Sequence, residues 1–171
     1  MVRNIRKIGD PVLRKKAVKI DKISREMHKL IADMLETMRA AHGLGLAAPQ
    51  VGVAQRLAVV EINELDGDGK PHTKTFVLIN PEVVKSSEET WENPEGCLSI
   101  PGWRGVVQRP SKITVKALDR DGNRVKFDAE GMLARAIQHE IDHLDGVLYI
   151  DKLVAPDRVW QVDEDAASDA E

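Results

Sequence analysis

Between Ile23 and Met38 the apolar residues Ile23, Met27, Leu30, Ile31, Met34, Leu35 and Met38 recur three and four positions apart. That spacing gathers them on one face and predicts an amphipathic helix packed on a core. Ser24 stands where its hydroxyl would cap the first turn, Glu26 follows in that turn, and Gly43 is read as the left-handed stop. The methionines are read as core fillers. A second helical pattern, Leu133, Ile137, Ile141 and Leu144, runs through 131–146 and ends at Asp145-Gly146, where glycine suits a left-handed cap. Between the two, β-branched runs predict strands over 56–62 and 75–80, the latter ended by Pro81, with a short continuation over 83–87. Asp66-Gly-Asp-Gly69 reads as a turn and 86–93 as a polar loop. The stretch 93–102 is bracketed by prolines and held extended, and 112–118 with 124–128 form a hairpin around Asp119-Arg-Asp-Gly-Asn123. Strands gathered before one late helix predict an α+β fold.

Composition adds limits rather than chemistry. A chain of 171 residues supports one domain with a real core. A formal net charge of -3 with 31% charged residues carries no global nucleic-acid signature. The charge is uneven: residues 157–171 hold six acids against Arg158, a net of -5, leaving +2 on residues 1–156. The expected division is therefore a catalytic domain over 1–156 and an acidic, disordered tail over 157–171. Cys97 is the single cysteine, so no intramolecular disulfide forms. The first eleven residues hold no apolar core of signal-peptide length, and no segment approaches a membrane span of roughly 18 apolar residues, so the expected address is the cytoplasm, without a membrane partner.

The chemistry lies in His139-Glu-Ile-Asp-His143. On a helix the two histidines project about 40° apart and about 6 Å apart along the axis, so both imidazoles can reach one cation. Glu140 projects between that edge and the apolar stripe, which suits a carboxylate that moves protons on a metal-activated water. An isolated pair of this kind is more often a surface or core feature, and a catalytic site needs a third ligand and one open position. Cys97 offers three readings: thiolate ligand, nucleophile paired with a histidine, or small core filler. A nucleophile leaves the second histidine without a task, whereas a ligand completes a Cys/His/His set, and the ligand is preferred. The third-histidine position of a metzincin pattern is Tyr149, and Glu164, the remaining candidate for a downstream carboxylate ligand, lies in the acidic tail. Earlier, His42-Gly-Leu-Gly-Leu-Ala-Ala-Pro-Gln-Val-Gly52 lets backbone approach closely at Gly43 and Gly45, without being a phosphate loop. Gln50 either bridges backbone in a turn or donates its amide N–H to developing negative charge.

Three stretches, Gly43-Leu-Gly-Leu-Ala-Ala-Pro-Gln50, Glu95-Gly-Cys-Leu-Ser99 and Gln138-His-Glu-Ile-Asp-His143, resemble in order the three motifs of the peptide deformylase family, and the likeness runs from about Ile5 to about Leu153. The resemblance implies an α+β fold with small antiparallel sheets packed around the motif helix. It implies that Cys97, His139 and His143 hold one metal, that Glu140 handles protons, that the Gln50 amide and the Leu98 backbone N–H bind the oxyanion, and that the Gly45 backbone lies near the substrate. The implied reaction is removal of the N-formyl group from formyl-methionyl nascent peptides, releasing formate. The donor set suits zinc, while the resemblance implies Fe²⁺, with Zn²⁺, Ni²⁺ or Co²⁺ able to substitute.

An apolar pocket for the methionine side chain is expected, with Leu44, Met132 and Ala136 as candidates, although core packing explains Ala136 equally well. Arg104 matches a family position facing the substrate cleft. Arg135 stands where an apolar pocket residue is expected. The acidic end argues against docking of the tail on ribosomal RNA, so any transient ribosome contact must use another surface. Two competing functions remain: an endopeptidase using the same helix, which does not require Cys97, and a binding module with a structural metal, which has no use for Gln50 or Glu140.

Overall fold

The computed structural model describes residues 1–163. Its first helix, α1 (Arg25–Ala40), forms where the apolar spacing places it, and Ser24 Oγ caps it by accepting the Met27 N–H at 3.2 Å. Its stop lies one residue earlier than Gly43. His42 takes the left-handed conformation at φ 55°, its N–H bonds to Arg39 O, and the Gly43 N–H bonds to Met38 O, the pair of bonds of a Schellman motif. Glycine at 43 has a different cause, since a Cβ there would fall 2.7 Å from Leu98 Cδ1.

Strands β1 (Gly45–Ala47), β2 (Leu57–Leu65), β3 (Pro71–Ser86), β6 (Lys112–Leu118) and β7 (Arg124–Glu130) form a five-stranded antiparallel sheet in the order β1-β2-β3-β6-β7. A smaller antiparallel sheet has the order β4-β5-β8, built from β4 (Thr90–Cys97), β5 (Ile100–Pro110) and β8 (Val159–Gln161). The second helix, α2 (Gly131–Leu144), enters directly from β7 and stops at Gly146, whose φ of 75° supplies the expected cap. The architecture is α+β.

Alternation along β2 and β3 gives the large sheet two buried faces. Leu57, Val59, Val77 and Ile79 meet the α1 residues Leu30, Ile31, Met34 and Met38. Val60, Leu78, Ile113, Val115 and Ala129 meet Ala134 and Ile137 of α2. Each fully buried aliphatic side chain contributes about 1.5–3 kcal/mol, so the two helices are held mainly by these faces.

Departures from the expected elements have identifiable causes. β3 does not end at Pro81 but passes through it. A register shift between Ile79 and Glu82 takes up the missing donor, and Asn80, at φ 51°, ties the irregularity to the Ile20 backbone N–H and C=O at 2.9 Å each. β5 fills 100–110, where only the first residues were read as extended, because its prolines fall next to its start and at its end. The chain also stays ordered past Pro156: Val159–Gln161 pair with β5, and Val162 N–H bonds to Gly102 O. The expected tail therefore begins with a strand, since Val159 and Trp160 interrupt its acidic composition; residues 164–171, the rest of it, lie outside the described residues. No helix among the described residues is long and apolar enough to cross a membrane.

Candidate active site

Cys97 ends β4 and Ile100 begins β5, with Leu98-Ser99 as the two-residue turn between them. α2 lies across this turn and presents His139 and His143 from one edge, their ring centroids 5.0 Å apart. Cys97 Sγ is 3.3 Å from His143 Nε2. One donor atom from each of Cys97, His139 and His143 lies within 4.8 Å of the others, close enough for one cation to bind all three.

The donors are oriented from behind. Glu95, two residues before Cys97 in β4, takes the His139 Nδ1–H at 2.9 Å, which leaves the His139 Nε2 lone pair for a metal. Burial opposes ionisation of Glu95, but hydrogen bonds from Arg109 and then His139 hold its carboxyl well below the usual range. Arg109 grips it with Nε at 2.6 Å and Nη2 at 2.8 Å, and its Nη1 reaches Asp142 of α2 at 2.9 Å. Although burial disfavours the charged form, contacts with Cys97 and Glu95 push His139 well above its ordinary pKa, while burial and the neighbouring His139 charge push His143 well below. His143 Nδ1 is buried without a hydrogen-bond partner. A soft thiolate with two imidazoles, one of them fixed by a carboxylate, suits Zn²⁺ or Fe²⁺, and the geometry fits a single divalent ion.

Glu140 is 4% exposed, and its Oε2 has no hydrogen-bond partner. Burial pushes its carboxyl up to about 7. It faces β1: a Cβ on Gly45 would lie 2.7 Å from Glu140 Oε1, so the close approach expected of this glycine is to the carboxylate. Gln50 lies in the 3₁₀ turn Ala48–Val51, buried, with Oε1 accepting the Ala47 N–H at 2.9 Å. Its Nε2 is thereby aimed at the site, 3.1 Å from Ser99 Oγ and 3.5 Å from Cys97 Sγ. The Oε1 end of the amide therefore bridges backbone in the turn, and the Nε2 end faces Cys97 and Ser99.

These residues come from three separate stretches, and the fold brings Gly45, Gln50, Cys97, Leu98, His139, Glu140 and His143 together. A family model described as polypeptide deformylase matches residues 2–159. The chain belongs to the polypeptide deformylase family. A peptide deformylase of Halothermothrix orenii is 52% identical over 153 residues, spanning 90% of this chain and 94% of that protein. The crystal structure of peptide deformylase from Thermotoga maritima is 41% identical, with a TM-score of 0.81 over 91% of this chain and 99% of that one. A Met-Ala-Ser-bound class I type b peptide deformylase from Acinetobacter baumannii is 33% identical, with a TM-score of 0.82 over 90% of this chain and 99% of that one.

Residues expected to line a deformylase substrate pocket are less uniformly placed. Leu44 and Met132 are each 45% exposed, with Met132 Sδ 3.8 Å from Asn93 Nδ2. Ala136 packs against the cluster beneath α2, as core packing would have it. Arg104 lies over Gly96, the residue before Cys97, so closely that a Cβ there would clash with its Nη1. Arg135 is not a pocket residue. Its guanidinium is buried against Glu95, the Trp91 and Val107 carbonyls and the Trp91 ring. The sequence reading missed the roles of Glu95, Arg109 and Asp142. The available signals were the closeness of Glu95 to Cys97 in the chain and the three-residue step from His139 to Asp142, which shares a helix edge.

Proposed function

We propose that Cys97, His139 and His143 hold one divalent cation with which this deformylase hydrolyses the N-formyl group of formyl-methionyl polypeptides, releasing formate and a free amine. The observation that carries this reading is the convergence of three donor atoms within 4.8 Å beside a buried carboxylate, Glu140, and an aimed amide, Gln50. A cation bound there supplies Lewis acidity and makes a water molecule nucleophilic at neutral pH. Glu140 takes a proton from that water as its oxygen bonds to the formyl carbon. Burial, which raises the basicity of this carboxylate, equips it to hold the proton and then pass it to the leaving nitrogen as the C–N bond breaks. Gln50 Nε2–H donates to the oxygen that becomes negative, with the Leu98 N–H as second donor from the turn after Cys97. Gly45 lets the substrate and Glu140 share the space beside β1. Leu44 and Met132 form the rim that receives the methionine side chain, and Arg104 contacts the peptide beyond it.

Fe²⁺ is the proposed native ion, with Zn²⁺, Ni²⁺ or Co²⁺ able to occupy the same donors. With this substrate class, the proposed setting is the cytoplasm, with transient contact with the ribosome as chains emerge. The test is formate release from formyl-Met-Ala-Ser by anaerobically purified protein, with metal measured on the same sample. The expected result is turnover with about one iron or zinc per chain, lost in Glu140→Ala while the metal stays bound. Bound metal with no formate from the wild type would remove the reaction and leave the fold.

A further inference from the structure

Behind His139 lies a buried ionic cluster with more donors than orienting one imidazole requires. The Arg109 fork alone fixes the plane of the Glu95 carboxylate, with Nε on Oε2 and Nη2 on Oε1. Arg135 contributes something else. It leaves α2 four residues before His139, donates from Nη1 to Glu95 Oε2 at 2.5 Å and to Val107 O at 3.0 Å, and donates from Nη2 to Trp91 O at 2.8 Å. One guanidinium thus bonds both β4 and β5, and its Cζ lies over the Trp91 ring, 4.4 Å from the ring centre. Asp142, three residues after His139, is held by Arg109 of β5. Arg135, His139 and Asp142 therefore form a polar seam at i, i+4 and i+7 along α2, facing the small sheet. The apolar side of α2 packs on the large sheet instead. Two metal donors ride on α2 and the third ends β4, so the seam sets the distance between them.

We propose that Arg135 is a positioning residue of the metal centre: it fixes His139 on α2 relative to Cys97 on β4, and thereby sets how tightly the three donors hold a divalent cation. This rests on the reading of Cys97, His139 and His143 as the ligand set. The guanidinium is suited to the task because it is planar and offers several donors in one fork, stacked on an aromatic face. A lysine ammonium carries the same charge but cannot meet three acceptors in that plane. Removing a group that hydrogen-bonds a metal ligand directly typically costs about 10–100-fold in metal affinity; Arg135 acts through Glu95, one step further back, so a loss at the lower end, about 10-fold, is expected.

The experiment uses the full chain, freed of metal and titrated with Co²⁺ against a chelator of known affinity, with the thiolate-to-cobalt absorption band recorded. Wild type, Arg135→Met, Arg135→Lys and Cys97→Ala are compared, each checked for folding by circular dichroism. Wild type should bind one Co²⁺ with a thiolate band. Arg135→Met should bind about 10-fold more weakly with a shifted band, and Arg135→Lys should resemble it, because donor geometry rather than charge is lost. Wild-type affinity and an unshifted band in the folded Arg135 variants would overturn the proposal while leaving the ligand set intact. A wild type without the band, or Cys97→Ala binding as tightly as wild type, would instead overturn the ligand set. If Arg135→Met fails to fold, Arg135→Lys decides alone.

Discussion

A Cβ built on Gly45 would lie 2.7 Å from Oε1 of Glu140, so the backbone of β1 and the carboxylate on α2 approach as closely as a residue without a side chain permits. Gly45 is not in a left-handed conformation, so alanine there meets crowding rather than backbone strain. The carboxylate must move to admit a methyl group. Misplacement of a reacting group by about 1 Å costs on the order of 100-fold. Gly45→Ala should therefore lose about that factor in kcat/KM while keeping its metal, as measured by formate release and metal content on one sample. Unchanged kcat/KM would show that Glu140 does not have to hold this position.

Glu140→Gln tests the proton-handling role with shape preserved. An amide in that space cannot take or return a proton, and general acid–base groups contribute about 10²–10⁴-fold. The expected outcome is a fall of that size in kcat with KM little changed and metal retained. Loss of metal in this variant would reassign Glu140 to metal retention.

The helices were legible because their signals are local. The α1 face, the Ser24 cap and the stop at Gly146 each depend on residues within a few positions of one another. The continuation of β3 through Pro81 was not legible, because the side chain that ties the irregularity down, Asn80, bonds to Ile20, 60 residues away. β8 is a three-residue strand whose partner β5 is distant in sequence, and its acidic neighbours dominate the composition.

The same contrast holds in the site. His139, Glu140 and His143 are tied by helical spacing, so their convergence can be read from the chain. Arg135 could not be placed in that way. Its helix position borders the histidine edge, and only the presence of Glu95 and Trp91 from β4 decides that it turns toward the small sheet. A long charged side chain takes its direction from distant partners, which spacing does not encode.

Asp151 offers a pH test away from the metal donors. Its carboxylate accepts the Leu148 N–H at 2.9 Å at the start of the 3₁₀ turn Tyr149–Lys152 and pairs with Arg14. The hydrogen bond from Arg14 outweighs partial burial and lowers its pKa below the ordinary 3.8. A lowered carboxylate pKa stabilises the fold above the unfolded value, and the contribution is lost as pH falls through the folded value. Both partners are more than a third exposed, so about 0.5–1 kcal/mol is at stake after solvent screening. Asp151→Asn should lower Tm by a few degrees at pH 7, and the gap should close as the pH falls through the lowered folded value. A gap that persists at low pH would assign the effect to the turn rather than to the charge.

Removing the metal should cost stability as well as activity. A ligand bound only by the folded state stabilises by about 4 kcal/mol when present at a thousandfold excess over its Kd. Chelator-treated protein should unfold at a distinctly lower Tm and recover it on adding Zn²⁺ or Co²⁺, whereas Cys97→Ala should already unfold near the chelated value and gain little from added metal. Equal gains in both proteins would place the added ion elsewhere.

Variants of Gln50 test whether its amide binds the developing charge rather than the ground state. Its Oε1 is committed to the Ala47 N–H, so only Nε2 remains to face the substrate, and no flip of the amide preserves both contacts. Gln50→Glu keeps an acceptor for Ala47 but puts a second oxygen where the donor stood, beside Cys97 Sγ. Gln50→Leu removes both ends at similar volume. Loss of one oxyanion donor costs about 10²–10³-fold in kcat, and that loss is expected in both variants, with KM changing far less. Gln50→Glu should be the slower of the two, because a carboxylate there repels the negative charge that the amide would stabilise, whereas leucine is merely silent. If Gln50→Glu matches wild type, the residue serves the turn alone, and the donor must be sought on the Cys97–Leu98 backbone.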